Sequence, residues 1–186
     1  MKLKEIKLNC VKSTNDEAIK LINKGKFKEC LIIARKQTGG RGTYGKKWIS
    51  SDGNLFITIF FELKNKKIRM DQFLKINSLI IKKILKKFIK VKIKIKKPND
   101  LLVKGRKICG ILQEVVNKKN KRFLIIGIGI NTVNSPKSSS FKSSSISDFS
   151  DLSIKNKEIL IKIKHLYEKY IPIFNKKKFN YIKTNL

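Results

Sequence analysis

Three cysteines, one histidine, one tryptophan and three prolines are all that this chain of 186 residues contains of those types, and 13 acidic residues stand against 45 basic ones. Cys10, Cys30 and Cys109 are isolated and odd in number, which excludes a disulfide-framed scaffold and suits reduced thiols in a cytoplasm. No cysteine–histidine spacing of a zinc cluster occurs. The sole histidine, His165, has no companions in the pattern of a catalytic triad, a Cys/His pair or a metalloprotease helix. It reads as a surface or core side chain. Apolar runs stay short of the ~20 residues that span a bilayer, and no charged-then-apolar-then-small leader opens the chain. Catalysis through an activated side-chain nucleophile, a resident metal and membrane insertion all drop out as expectations.

Lysine is what the chain has in excess. Five of the basic residues are arginine (Arg35, Arg41, Arg69, Arg106, Arg122), the rest are lysine, and the formal net charge is +32. The lysines run along the whole chain, as in VKIKIKK at 91–97. A dedicated nucleic-acid surface relies on arginine forks and exposed aromatics. The lysines therefore read as a solvated surface that also attracts anions and acidic proteins at long range. A non-enzymatic, lysine-rich nucleic-acid binder stays open as an alternative, with steep salt dependence as its mark. The hydrophobic share of 41% supports one folded domain over residues 1–186, which at this length buries roughly 70% of its unfolded surface.

The organising stretch is Ala34–Asn54, ARKQTGGRGTYGKKWISSDGN. It lies between two apolar runs that read as strands, 30–34 and 55–61, and carries Gly39, Gly40, Gly42, Gly45 and the only tryptophan, Trp48. A loop of this length in a compact domain usually has a function, and its glycines, amides and cations suit an anion. Gly40-Arg41-Gly42-Thr43-Tyr44-Gly45 is formally a G-x-G-x-x-G. A dinucleotide fold needs a helix directly after it, and here a Ser-Ser-Asp-Gly turn and a β-rich run follow. A kinase needs H-R-D and D-F-G segments, and neither is present. Both readings fail on context.

Elsewhere the chain alternates strand and helix patterns. Residues 3–8 read as an edge strand. Ser13-Thr14-Asn15 leads a helix that stops at Gly25, with Thr14 and Glu17 spaced as a capping box. Asp71 to about Phe88 carries an amphipathic stripe read as core. Residues 91–95 form a half-buried strand with lysines outward. Pro98-Asn99-Asp100 reads as a turn, 107–115 and 123–130 as strands, 134–147 as a serine-rich mobile surface loop that could also fold over a site, and about Ser153 to Pro172 as a last helix. No internal repeat occurs.

Taken in order, Ser13-Thr14-Asn15, Gln37 with Gly40-Arg41-Gly42, Gly45 and Trp48, then Pro98-Asn99-Asp100-Leu101, then Lys107-Ile108 with Gly110-Ile111-Leu112 and Glu114, and finally Gly127-Ile128-Gly129-Ile130-Asn131 resemble the biotin protein ligases (biotin–[acetyl-CoA-carboxylase] ligases). The resemblance covers residues 13–131. It implies an α/β (α+β) fold, a mixed sheet backed by helices and related to the catalytic domain of class II aminoacyl-tRNA synthetases. It implies a cytoplasmic ligase that converts biotin and ATP to biotinyl-5'-AMP, with Mg2+ arriving on the nucleotide. Biotin then passes to a lysine of a biotin carboxyl-carrier domain of a carboxylase. By the same resemblance Ser13, Thr14, Asn15, Gln37, Gly40, Arg41, Lys107 and Gly110 take biotin, and Gly42, Thr43, Trp48, Asn99 and Asn131 take the nucleotide. Arg41 and Lys107 would stabilise the phosphoryl charge, and Asp100 would orient the acceptor amine. Nothing but the resemblance singles Lys107 out among the lysines.

Two positions depart from the family pattern: Lys97 stands where tryptophan is usual, and Thr43 where many members carry a second arginine. The expectation is a catalytic domain without the helix-turn-helix repressor domain or the C-terminal β-barrel of some members, hence no specific DNA and no membrane, with a homodimer possible. Lipoate-type protein ligases, which share the fold and the key lysine, are the nearest alternative.

Overall fold

Strand order and side-chain parity decide where a site can form in this protein. The computed structural model describes residues 1–26, 28–65, 67–136, 141–150 and 153–186. In chain order the elements are β1 (Lys4–Val11), α1 (Thr14–Asn23), β2 (Glu29–Gln37), β3 (Leu55–Glu62), α2 (Met70–Leu85), β4 (Ile93–Lys96), β5 (Asp100–Val103), β6 (Arg106–Lys118), β7 (Lys121–Ile130), α3 (Asn156–Phe174) and α4 (Phe179–Thr184). The strands form one seven-stranded sheet in the order β1-β2-β3-β7-β6-β5-β4. β1 and β2 are parallel, as a crossover through α1 requires. Every other neighbouring pair is antiparallel, so the sheet is mixed and helix-backed, the architecture expected from the sequence.

Successive side chains point to opposite faces of a strand. On one face Leu31, Ile57, Ile59, Phe61, Leu124, Ile126 and Ile128 join the large core under α2 and α3. On the other, Cys30, Ile32, Phe60, Phe123 and Ile125 pack on Ala18 and Ile22 of α1. Short α1 covers only part of this second face. Along β7 its parity continues from Phe123 and Ile125 to Gly127 and Gly129, which pair opposite Leu112 and Gly110 of β6. Bulk gives way to glycine there, and the sheet surface lies open to a ligand.

The large core contains a polar relay. Tyr167 of α3 is fully buried, and its hydroxyl donates to Asn77 Oδ1 at 3.0 Å. Asn77 Nδ2 donates to Gln113 Oε1 at 2.9 Å, and Gln113 Nε2 donates to the Met70 carbonyl at 3.0 Å. Burial pushes the Tyr167 hydroxyl well above its usual range, so it stays a donor. Tyr167→Phe would orphan Asn77 Oδ1, at a cost of about 1–3 kcal/mol. A fall in melting temperature of several degrees is the expected outcome for a chain of this size, and an unchanged melting curve would contradict the relay.

Three local expectations need correction. The Thr14–Glu17 capping box does not form: Ser13 is the N-cap, with no side-chain cap hydrogen bond. Thr14 is the first helical residue, and its hydroxyl is engaged elsewhere. α2 ends at Leu85, short of Phe88. α3 runs two residues past Pro172 to Phe174, because Phe174 is buried against the rings of Phe61, Phe73 and Tyr170 and this packing outweighs the lost backbone bond. The short α4 was not anticipated from the sequence.

Candidate active site

The glycine-floored face of the sheet forms the bottom of a cavity of about 820 Å³. Its walls come from the N-terminus of α1, the loop after β2, the β4–β5 turn, the start of β6 and the segment after β7. At the α1 end, the Thr14 backbone N–H donates to Gln37 Oε1 at 2.9 Å, and Thr14 Oγ1 lies 3.0 Å from the same oxygen. Gln37 Nε2 donates to Ser50 Oγ at 3.2 Å, tying the two ends of the glycine loop together. The buried Thr58 hydroxyl donates to Asn15 Oδ1 at 2.6 Å and lies 2.8 Å from Thr14 Oγ1. Asn15 fits there because β7 has no side chain at Gly127: a Cβ would stand 2.4 Å from Asn15 Oδ1.

The glycine loop folds back on itself, with Trp48 N–H donating to the Gly40 carbonyl at 2.9 Å and Gly42 N–H to Lys46 O at 2.7 Å. Tyr44 and Gly45 both take positive φ, 55° and 71°, the conformation that favours glycine. The fold-back lays the Trp48 indole on the sheet. A Cβ at Gly129 would meet Trp48 Cε2 at 2.4 Å, and one at Gly110 would meet Cζ3 at 2.7 Å. Trp48 Nε1 is buried without a hydrogen-bond partner among the described residues, a donor in need of an acceptor.

Arg41 leaves the loop towards β6. Its Nη1 and Nη2 donate to Glu114 Oε1 and Oε2 at 2.9 and 2.8 Å, and Nη2 lies 2.9 Å from Asp16 Oδ1. The hydrogen bond to Glu114 and the charges of both carboxylates raise the guanidinium pKa further. Three of its N–H groups are thus engaged. A guanidinium has five, so among the described residues the Nε–H and the outer Nη1–H remain unengaged, on opposite edges of the group, and either can face a ligand.

On the opposite wall the Lys107 ammonium lies 2.7 Å from Asp100 Oδ1, and 5.2 and 5.7 Å from the ring centroids of Trp48 and Phe141, within cation–π range. Asn99 is buried, and its Nδ2 donates to the Ile111 carbonyl at 2.8 Å, holding the β4–β5 turn to β6. Asn131 Nδ2 donates to Ser144 O at 3.2 Å, while its Oδ1 is buried and unpartnered among the described residues. Part of the serine-rich stretch closes this wall. Lys107 N–H donates to Lys142 O at 2.9 Å and Ser144 N–H to Lys107 O at 3.0 Å. Residues 137–140, on which the expectation of a mobile loop partly falls, lie outside the described residues; 141–146 pack against the site.

Of the residues expected at the site, Ser13, Thr14, Asn15, Gln37, Arg41, Gly42, Thr43, Trp48, Asn99, Asp100, Lys107, Gly110 and Asn131 line this cavity. Gly40 does not. It packs inside the loop, where a Cβ would stand 2.6 Å from the Trp48 carbonyl oxygen. Three participants were not assigned from the sequence: Thr58, Phe141 and, as the partner of Arg41, Glu114. Thr58 carries a signal, being the one polar residue inside an apolar strand that otherwise turns polar only at its last residue, Glu62. Phe141 carries none, since serines surround it.

The sequence matches the biotin/lipoate A/B protein ligase family over residues 8–131. The chain belongs to that family. Among its relatives, the "Bifunctional ligase/repressor BirA" of Escherichia coli (strain K12) is 32% identical over 126 residues, 67% of this chain and 39% of that protein. The "Biotin--[acetyl-CoA-carboxylase] ligase" of Paracoccus denitrificans is 31% identical over 67% of this chain and 52% of that protein. The chain thus spans about a third to one half of the curated relatives it matches. A biotin protein ligase from Aquifex aeolicus, solved in complex with biotin and ATP, superposes with TM-score 0.79 and 26% identity over 98% of this chain and 76% of that one. The Leishmania major enzyme in complex with biotinyl-5-AMP shares the fold, at TM-score 0.77 and 22% identity. Among the described residues no helix is long and apolar enough to cross a membrane.

Two other family expectations can be set against the geometry. Lys97 leaves no tryptophan at the β4–β5 turn, but Phe141 and Trp48 flank the Lys107 ammonium. For Mg2+, no three His, Cys, Asp or Glu side chains among the described residues group to hold a metal, and Asp100 is the one carboxylate among the described lining residues. A metal would be held mainly by the nucleotide's phosphates, with Asp100 as the chain's contribution.

Proposed function

We propose that this protein activates biotin with ATP and transfers it to a lysine of a biotin carboxyl-carrier domain, acting in the cytoplasm as the catalytic unit of a biotin ligase. The observation that carries the reading is the meeting of Arg41 and Lys107, from distant segments, in one cavity with the Ser13-Thr14-Asn15 helix start. In the first half-reaction a biotin carboxylate oxygen attacks the α-phosphorus of ATP. A P–O bond forms, the bond to the bridging oxygen breaks, and pyrophosphate leaves. One of the remaining N–H groups of Arg41 and the Lys107 ammonium would meet the phosphoryl oxygens. Lys107 gives up a partly exposed ion pair with Asp100, and such a pair is weak enough to exchange for a phosphate. In the second half-reaction the acceptor amine attacks the acyl carbon. The C–N bond forms, the C–O bond to AMP breaks, and the amine proton passes to Asp100, freed from Lys107.

The test is incubation with ATP, Mg2+ and radiolabelled biotin, followed by a carboxyl-carrier domain, with lipoate and a lipoyl domain as controls. Biotinyl-adenylate and then labelled carrier are the expected products; label on the lipoyl domain alone would refute the reading. Thr43 lines the cavity where many relatives would supply a second cation. Thr43→Arg is therefore expected to lengthen the half-life of bound adenylate several-fold in a filter assay, by adding a charge-assisted hydrogen bond. Equal half-lives would refute this.

A further inference from the structure

The glycine loop does little to fix the direction of Arg41. The residue lies between Gly40 and Gly42, and its side chain is 38% exposed. Its orientation comes instead from two carboxylates: Glu114 on β6 takes Nη1 and Nη2 on its two oxygens, and Asp16 of α1 lies 2.9 Å from Nη2. Glu114 is not a loose surface carboxylate. Its side chain is 25% exposed, β7 pairs with it through Ile125, and its Oε2 also accepts Asn15 Nδ2 at 2.7 Å. Asn15 is 3% exposed and held in turn by Thr58. A continuous hydrogen-bonded chain, Arg41–Glu114–Asn15–Thr58, therefore runs from the loop cation to the helix-start end of the cavity.

We infer that Glu114 is the positioning residue for Arg41: it aims the guanidinium so that one of its remaining N–H groups meets the adenylate phosphate. Through Asn15 it ties that aim to the end of the cavity given to biotin. The inference rests on the ligase reading and deepens it. The competing role is a latch, a carboxylate that the ligand must expel from Arg41. The geometry opposes a latch, because Asn15 and the pairing with β7 hold Glu114 in place independently of Arg41, and Arg41 keeps N–H groups that a ligand can use without displacing it.

The two roles predict opposite signs. Glu114→Gln turns one acceptor into an –NH2 facing the Arg41 donors. Positioning predicts that bound adenylate escapes about tenfold faster, that biotin affinity changes less than threefold, and that Glu114→Asp recovers part of the loss. Because Glu114 acts through Arg41, the same substitution in an Arg41→Ala background is expected to add less than twofold. Slower escape in Glu114→Gln, or equal losses in both backgrounds, would overturn the inference. Should the wild-type chain form no biotinyl-adenylate, the ligase reading fails on its own. The positioning role is then read by ATP affinity in the same double-mutant cycle, with about tenfold weakening expected and unchanged affinity overturning it.

Discussion

Lys107→Ala is expected to slow adenylate formation by about 10²–10³-fold, the usual cost of removing one preorganised donor from developing charge. The ammonium is flanked by the rings of Trp48 and Phe141, which keep it in the cavity when it exchanges Asp100, at 2.7 Å, for a phosphate. Arginine in its place should not restore the rate. A planar fork presents its donors in a different geometry from a compact ammonium between two rings. The fold should tolerate the loss, because Lys107 and Asp100 are 21% and 23% exposed and the orphaned carboxylate can hydrate. The comparison that matters is Lys94→Ala. Lys94 is exposed on edge strand β4, and removing it takes away the same charge without touching the cavity. Unchanged turnover in Lys94→Ala beside the loss in Lys107→Ala assigns the effect to placement rather than to the net charge of +32. Equal losses in a pyrophosphate-exchange assay would assign it to the general field and refute a dedicated role.

Gly129→Ala is expected to be the most damaging single-methyl change at the site. The new Cβ would stand 2.4 Å from Trp48 Cε2, far inside van der Waals contact, and the other side of the strand is filled by Ile128 and Ile130 of the buried core. The indole must lift off the sheet, taking with it the wall that faces the Lys107 ammonium. Because Trp48 is the only tryptophan, intrinsic fluorescence reads the displacement directly. A red shift in emission and at least about tenfold weaker adenylate binding are expected together, a position-sensitive loss of the kind that misplaced site groups produce. Gly110→Ala, at 2.7 Å from Trp48 Cζ3, should follow the same pattern. Gly127→Ala should not, since its Cβ would meet Asn15 at 2.4 Å and leave the indole in place. It is expected to weaken binding with no spectral shift. An unshifted spectrum in Gly129→Ala would contradict the stacking of Trp48 on β7.

The continuous apolar, β-branched runs within 29–35, 55–62 and 123–130, and the amphipathic stripe from Phe73 to Ile84, make the sheet and its helical backing legible in the sequence. Short apolar runs suit strands buried on both faces, and the helical spacing marks a face turned to the core. Boundaries were less legible where tertiary contacts override local preference. Pro172 looks like a stop until Phe174 is seen packed against Phe61 and Phe73. Thr14 looks like a cap until Gln37 and Thr58 claim its polar groups. Locally, the glycine loop announced a ligand but not which one, and Lys107 was visible only through resemblance to a family. The pairing of Arg41 with Glu114 and Asp16 could not be read at all, because it joins a loop, a helix and a strand that only folding brings together.

The ligase reading requires one anhydride to be held from both sides, by the Arg41 guanidinium and the Lys107 ammonium. A crystal structure of the chain with a non-hydrolysable acyl-sulfamate analogue of biotinyl-adenylate tests it most directly. Both Lys107 Nζ and an Arg41 N–H nitrogen are expected within hydrogen-bonding distance, about 2.7–3.2 Å, of the group that replaces the phosphate, with Glu114 still on Arg41. An analogue bound with either cation turned away from that group would contradict it.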